Sequence, residues 1–332
     1  MMLGAGVPLV RALAIMSRRD IKADVQKVYT GLYKSLKQGS MLSEAMTQQT
    51  NVFPDLLVSM IRASEASGAM DQTALKMAEH YDKTYRLNKK VRSALTYPIL
   101  LGCITVIVLL VVFLVVLPKF FELFDTFSAE LPGITQFLLN FSVFLQNYWM
   151  WVLVGILLLV LLLRMVMRIP KVRIASDRAK LRMPGVGKLL KIIYTARFAR
   201  TFSSCYASGI SIISALSNTR DTVGNAYIAA QFPAMIRDVR AGKSLSSAIK
   251  GVDGFDSKLA ATVQIGEETG KLYEMLTAMA DAFDYDSELA LAQLTTMIEP
   301  VMIVVMALVI GTVIVAVMLP MTQLYDAIGG AV

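Results

Sequence analysis

Residues able to do chemistry are few in this chain, and their spacing argues against catalysis. Ala241-Gly242-Lys243-Ser244 ends like a phosphate-gripping loop, in which backbone N–H groups and a lysine hold a nucleotide. That motif needs a glycine five residues before Gly242, and Arg237 stands there. The segment is therefore read as a turn between helices, with Gln38-Gly39-Ser40 at the matching place earlier in the chain. Cys103 and Cys205 are too few for a disulfide framework, and neither belongs to a CxxC pair. Cys103 is expected to serve packing, and His80, the one histidine, to sit at a solvated edge. No nucleophile, base and ligand cluster together, so no catalytic residue, cofactor or metal site is expected. Three acids stand out instead: Glu65, Glu267 and Glu299.

The elements that position these acids follow from composition. The chain has 332 residues, 55% hydrophobic and 17% charged, with a mean hydropathy of +0.57. A soluble domain carries roughly 25% charged residues, so part of this length is expected in lipid and a soluble enzyme is excluded. Crossing a bilayer takes about 20 helical residues. Three runs are long enough: Ile99 to Leu117, Trp149 to Met167 and Val301 to Leu319. Their one charge, Arg164, can snorkel from near a span end. The N-terminus lacks the basic region and unbroken apolar core of a signal peptide.

Charge sets the orientation. Lys83, Arg86, Lys89, Lys90 and Arg92 precede the first span, and seven basic residues from Arg164 to Arg182 follow the second. Between those spans stand Lys119 alone and the acids Glu122, Asp125 and Glu130. The positive-inside rule then places 1–98 and about 168–299 in the cytoplasm. The net charge of +8 is largely accounted for in this way, so nucleic acid is not an expected partner, whereas anionic lipid is.

Self-comparison shows a duplication. Gly6-Val7-Pro8-Leu9 with Ala12-Leu13 returns as Gly209-Ile210-Ser211-Ile212 with Ala215-Leu216 at a shift of 203. Gly39, Leu42 and Ala45 meet Gly242, Leu245 and Ala248 at the same shift. Beyond Phe53 and Phe255 the shift is 202, pairing Glu65 with Glu267, Gly68 with Gly270, Pro98 with Pro300 and Pro118 with Pro320. Each repeat thus reads as a helical module followed by a span that opens after Pro98 or Pro300 and closes before Pro118 or Pro320, proline being tolerated in a first helical turn. Leu189 to Tyr206 reads as an amphipathic helix opening the second module. Its counterpart would lie before Met1, so the first module is expected to lack its first helix and the chain to be a truncated or alternatively started form.

Within the modules, Leu272, Met275, Leu276, Met279, Ala280 and Phe283 form one helical stripe, matched by Met70, Thr73, Ala74, Met77, Ala78 and Tyr81. Gly68 and Gly270 suit helix ends that need positive φ. Glu65 and Glu267 follow Leu57 and Leu259 by eight residues, which sets them about 80° from the apolar centre of a helix. They are read either as partner contacts or as acceptors for free N–H groups at the start of the next helix, recurrence favouring the second. Glu299, at the mouth of the third span, is matched by Tyr97 and is a candidate contact to another membrane helix. Ala307 and Gly311 form a small-xxx-small pair suited to helix packing.

The duplicated G-V-P-L start, the turn Gly266-Glu267-Glu268-Thr269-Gly270, Tyr97-Pro98 and Glu299-Pro300 together resemble the type II secretion system F / type IV pilus assembly C family. The resemblance covers essentially the whole chain. It departs from the family in the short N-terminal region and in Ala66, where the second repeat has Glu268. It implies a non-enzymatic inner-membrane platform protein coupling a cytoplasmic hexameric ATPase to addition or removal of pilin or pseudopilin subunits. Other inner-membrane assembly subunits and a homo-oligomer are further implied partners. A permease-like subunit of a transporter driven by a separate ATPase is the alternative, opposed by spans with almost no charge.

The expected architecture is all-α: a polytopic membrane protein with three transmembrane helices and two homologous antiparallel helix-bundle modules. The boundaries are a module at 1–98, a span at 99–117, an external loop at 118–148 and a span at 149–167. A second module follows at 168–299, then a span at 300–320 and an external tail at 321–332.

Overall fold

The computed structural model describes residues 2–20, 22–49, 52–116, 118–119 and 133–329. The loop acids Glu122, Asp125 and Glu130, Leu117 and the last three residues of the tail lie outside the described residues. Helices α1 (Leu9–Ser17), α2 (Ala23–Lys37), α3 (Leu42–Gln48) and α4 (Asp55–Ser67) lead into a long α5 (Met70–Val111), which ends in a π-helical turn at Val112–Val116. Then follow α6 (Gly133–Val166), α7 (Pro170–Arg182), α8 (Val186–Ala207), α9 (Ile212–Thr222), α10 (Ala226–Ala229), α11 (Phe232–Arg240), α12 (Leu245–Lys250), α13 (Ser257–Thr269) and α14 (Leu272–Gly329). Among the described residues there is no strand, only an isolated bridge between Asp253 and Phe255. The chain is an all-α polytopic membrane protein.

Contacts divide it into two compact units, Met1–Lys90 with Arg173–Ala290 and Val91–Val172 with Leu291–Val332. In the first unit the duplication is visible position by position in the buried residues. Leu13, Leu32, Leu42, Ala45, Met46 and Ile61 form one buried cluster. Their equivalents at the same shifts, Leu216, Met235, Leu245, Ala248, Ile249 and Val263, are all buried in the larger one. The same apolar positions thus fold the same small bundle twice, because burial of those side chains is what stabilises it. The turns repeat as well: Gly6 and Gly209, Gly39 and Gly242, and Gly68 and Gly270 all have positive φ.

What the register does not repeat is α8. Instead of an amphipathic helix, the structure has one buried nearly all round, including Phe198, Phe202, Ala196 and Cys205. It is enclosed because it packs against both repeats. Phe198, Phe202 and Cys205 share a cluster with Leu56, Met60 and Met77 of the first repeat, and Ile192 and Ala196 pack with Phe283 of the second. Leu56 and Met60 occupy the places of Lys258 and Thr262 in the second repeat, so the first repeat carries an additional apolar face.

The long helices bury different faces accordingly. In α14 the buried stripe is Leu272, Leu276, Ala280, Phe283 and Ser287, whereas in α5 it is Thr73, Met77, His80 and Leu87. The stripe of α5 is rotated relative to its duplicate, which corrects the placement of His80 at a solvated edge: only 7% of it is exposed. Two ion pairs link α5 to α14, Lys83 to Asp281 at 2.5 Å and Lys90 to Glu288. The partners are spaced by seven residues on both helices, as for two parallel helices in register.

In the second unit, Pro98 lies inside α5 and Pro300 and Pro320 inside α14, so the helices run through these prolines rather than starting or ending at them. A proline within a helix loses one hydrogen bond and crowds the preceding turn at a cost of about 3 kcal/mol in water. Membrane helices tolerate it through local adjustment of the backbone. The π-helical turn shortly before Pro118 is such an adjustment: its Phe113 carbonyl accepts from the Ser142 hydroxyl, and the Phe113 and Phe141 rings meet edge to face at 5.3 Å. Helix α6 starts at Gly133, well before Trp149, so much of the expected 118–148 loop is helical. Helix α14 likewise runs beyond Pro320 to Gly329. Three helices are long and apolar enough to cross a membrane, and at most 6% of the residues in their most apolar windows are buried by the chain itself. Lipid or other proteins must therefore cover them.

Candidate functional site: two carboxylate-held turns

Each repeat places a glutamate from the longer of two consecutive helices under the first turn of the shorter one. In the second repeat, the Leu245 N–H donates to Glu267 Oε1 at 2.6 Å and the Ser246 N–H to Oε2 at 3.1 Å. In the first, the Leu42 N–H donates to Glu65 Oε1 at 2.5 Å, and the Ser43 N–H lies 3.3 Å from both oxygens. Four N–H groups at a helix start lack partners inside the helix, and a carboxylate there also meets the positive end of the helix dipole. The helix so held is the preceding one, α3 or α12, rather than the next one. Hydrogen bonds to charged groups are worth about 1.5–3 kcal/mol, and these tie each short helix to the longer one that follows it.

Three residues after each glutamate the chain reverses into the next helix. Gly68 and Gly270 end α4 and α13 with φ of 74° and 70°, a left-handed conformation that glycine adopts without the steric cost of a Cβ. The Gly242 turn, with φ of 89°, joins α11 to α12, and Ser244 accepts from the Ser247 N–H at 3.3 Å as its cap. The lysine and serine of the GKS segment thus belong to a helix start with no strand before it.

Beside Glu267 lies a cleft of about 910 Å³ between α12 and α13, lined by Ser244, Ser247, Lys250, Asp256, Gln264 and Glu268 among others. Gln264 Nε2 donates to Glu268 Oε1 at 2.9 Å, leaving that carboxylate at the cleft with acceptor capacity to spare. Ala66 takes the matching place in the first repeat.

The remaining candidates are elsewhere. Glu299 is exposed on α14, in the unit that holds the spans, and no ion pair forms to it among the described residues. A Cβ built on Gly311 would touch nothing within 4 Å, and Ala307 is exposed, so this small-residue face is left open among the described residues. Glu65 and Glu267 serve separate turns, one in each repeat.

Sequence reasoning passed over a second polar centre, where α5, α8 and α14 meet. Arg200 on α8, 6% exposed, donates to Asp284 Oδ2 and lies 3.8 Å from Asp281, which itself pairs with Lys83. Burial raises the Asp284 carboxyl pKa against the opposing pull of Arg200. His80, with Nδ1 3.5 Å from the Ser204 hydroxyl, is pushed down to about 4 by burial and by the nearby Arg200 charge. The available signal was a lone arginine inside an otherwise apolar and small-residue run, Phe198 to Cys205.

Comparison with known proteins completes the picture. The family described as type II secretion system protein F matches residues 1–118 and 198–320, which are the two repeats without the intervening span. The type IV pilus assembly protein TapC of Aeromonas hydrophila is 32% identical over 329 residues, 99% of this chain and 80% of that protein. The type IV pilus assembly protein PilC of Pseudomonas aeruginosa is 31% identical, covering 99% and 88%. The type II secretion system protein F of Vibrio cholerae is 29% identical over 96% of this chain and 79% of its own. With both copies of the glutamate-held module inside the matched segments, the chain belongs to the type II secretion system protein F family.

Proposed function

We propose that this chain is the inner-membrane platform subunit of a type IV pilus or type II secretion machine, coupling a cytoplasmic hexameric ATPase to the assembly of pilin or pseudopilin subunits. The observation that carries the reading is the near-complete alignment with proteins named for type IV pilus assembly and type II secretion. The charge pattern supports two modules on the cytoplasmic side, the external loop and C-terminus on the other, and therefore access to a soluble ATPase. Three spans left uncovered by the chain supply apolar surface for pilin transmembrane helices, for other assembly subunits or for a second copy. Movement of the modules would reach the spans through the helices that contain Pro98 and Pro300.

Glu268 is assigned to partner contact, because its carboxylate lines the cleft with acceptor capacity to spare, and Ala66 stands at its place in the first repeat. Glu65 and Glu267 hold their own modules. The test is affinity purification of the detergent-solubilised chain from its own cells, with partners identified by mass spectrometry. Wild type is expected to recover a secretion-type ATPase and pilin-like subunits. Glu268→Ala should lose most of the ATPase with its thermal stability unchanged, whereas Glu267→Ala should lose stability as well. A well-folded wild-type chain that recovers neither class of partner would contradict the reading.

A further inference from the structure

A second cavity, of about 230 Å³, opens between the two repeats inside the unit formed by 1–90 and 173–290. Its walls come from α4, α5, α8 and α9, and their charged groups are two guanidiniums, Arg197 and Arg200, with no carboxylate among them. The other titratable lining groups are His80 and Tyr81. Burial and the Arg200 charge hold His80 down at about 4, so it is neutral at pH 7, and burial pushes the Tyr81 hydroxyl up to about 12, so it keeps its proton.

Both arginines have donors to spare. Arg200 spends one nitrogen on Asp284, which does not line the cavity, while its buried Nε has no hydrogen-bond partner. Arg197 Nη2 donates to the side-chain oxygen of Asn88 at 2.9 Å, and no ion pair forms to Arg197 among the described residues. Burial lowers its pKa against an opposing pull from Tyr194, as for a partly desolvated charge. Its place is kept open by Gly224, where a Cβ would stand 2.6 Å from Arg197 Nη1. The Tyr81 hydroxyl is likewise buried without a partner, and the Thr201 hydroxyl, which lies 3.2 Å from the Thr222 hydroxyl as its acceptor, adds a further donor to the lining.

Water could fill a polar cavity of this size, but water does not neutralise a guanidinium. Forked arginine donors beside neutral hydroxyls match a tetrahedral oxyanion. The volume falls below the 300–1,000 Å³ or so of pockets that enclose drug-sized ligands, which excludes a whole nucleotide. We propose that this cavity is a phosphate-binding site, taking inorganic phosphate or the phosphate end of a small phosphomonoester, with Arg197 supplying the charge and Arg200 Nε and Tyr81 Oη further donors.

The test is calorimetric titration of the full chain in detergent at constant ionic strength, with three probes: inorganic phosphate, glycerol 3-phosphate and a short-chain phosphatidic acid. Saturable binding of either soluble probe identifies a free phosphate source, and binding of the phosphatidic acid alone identifies a lipid headgroup. Arg197→Gln should weaken the binding at least about tenfold, the loss expected when hydrogen bonds to a charged group are removed. Tyr81→Phe should weaken it several-fold and serves as the informative variant if Arg197→Gln does not fold. Lys27→Gln, exposed on α2 and absent from the cavity lining, should leave it unchanged. Absence of saturable binding by all three probes would overturn the assignment, as would binding that neither Arg197→Gln nor Tyr81→Phe weakens.

Discussion

Glu65 and Glu267 act on backbone, whereas His80 lies beside the charge of Arg200. The glutamates accept from N–H groups that would otherwise lack partners. His80 is buried in its neutral form beside Arg200, so its protonation opposes folding. Its folded pKa of about 4 lies below the ordinary value of 6.5, and between those two values the unfolded chain binds the proton that the folded chain refuses. The His80 contribution to stability is therefore complete above pH 6.5 and is lost as the pH falls toward 4. Thermal melts of wild type and His80→Gln across that window should diverge, the wild type losing more stability on acidification. Parallel curves would mean that His80 is not buried as the structure places it.

Among the elements, α5 and α14 show how duplicates come to differ. The matched core positions, such as Leu42 with Leu245 and Ile61 with Val263, are conspicuous in the sequence because each is satisfied inside its own repeat. Helical periodicity, the three spans and the glycine-ended turns are legible for the same reason: they depend on neighbours in the chain. The packing of both repeats on α8 leaves no such trace. Leu56 and Met60 look like ordinary apolar residues, and Asp284 and Arg200 become partners only once α8 and α14 are side by side. The same holds for Lys83 with Asp281 and Lys90 with Glu288, in which the first repeat supplies every cation and the second every anion. Exposed pairs of this kind are worth about 0.2–1 kcal/mol and are screened by salt. Lys83→Glu should lower stability by about that amount or slightly more, and the doubly reversed Lys83→Glu/Asp281→Lys should recover part of the loss. Denaturation at low and high salt checks this, with the difference shrinking at high salt. A double variant no better than the single would show that the pair does not couple the two helices.

For the whole molecule, the two units divide the physical work. One is a charged, twice-repeated bundle with a well-buried core, and the other is an apolar set of helices that the chain itself barely covers. The proline positions illustrate where reading by sequence fell short at this scale. Pro98 and Pro300 resemble helix starts, yet the helices continue through them because the membrane-spanning segments and the module helices are single elements. The proposed coupling to pilin assembly calls for both an apolar surface and a separately folded one, and the two units supply one of each. The most direct test of that account is removal of the chain from its own cells, followed by the amount of pilin-like subunit found outside the membrane. The account predicts that external filament or secreted product is lost while the subunits accumulate in the membrane, and that the wild-type chain restores assembly. Unchanged filament or secretion in cells without the chain would contradict it.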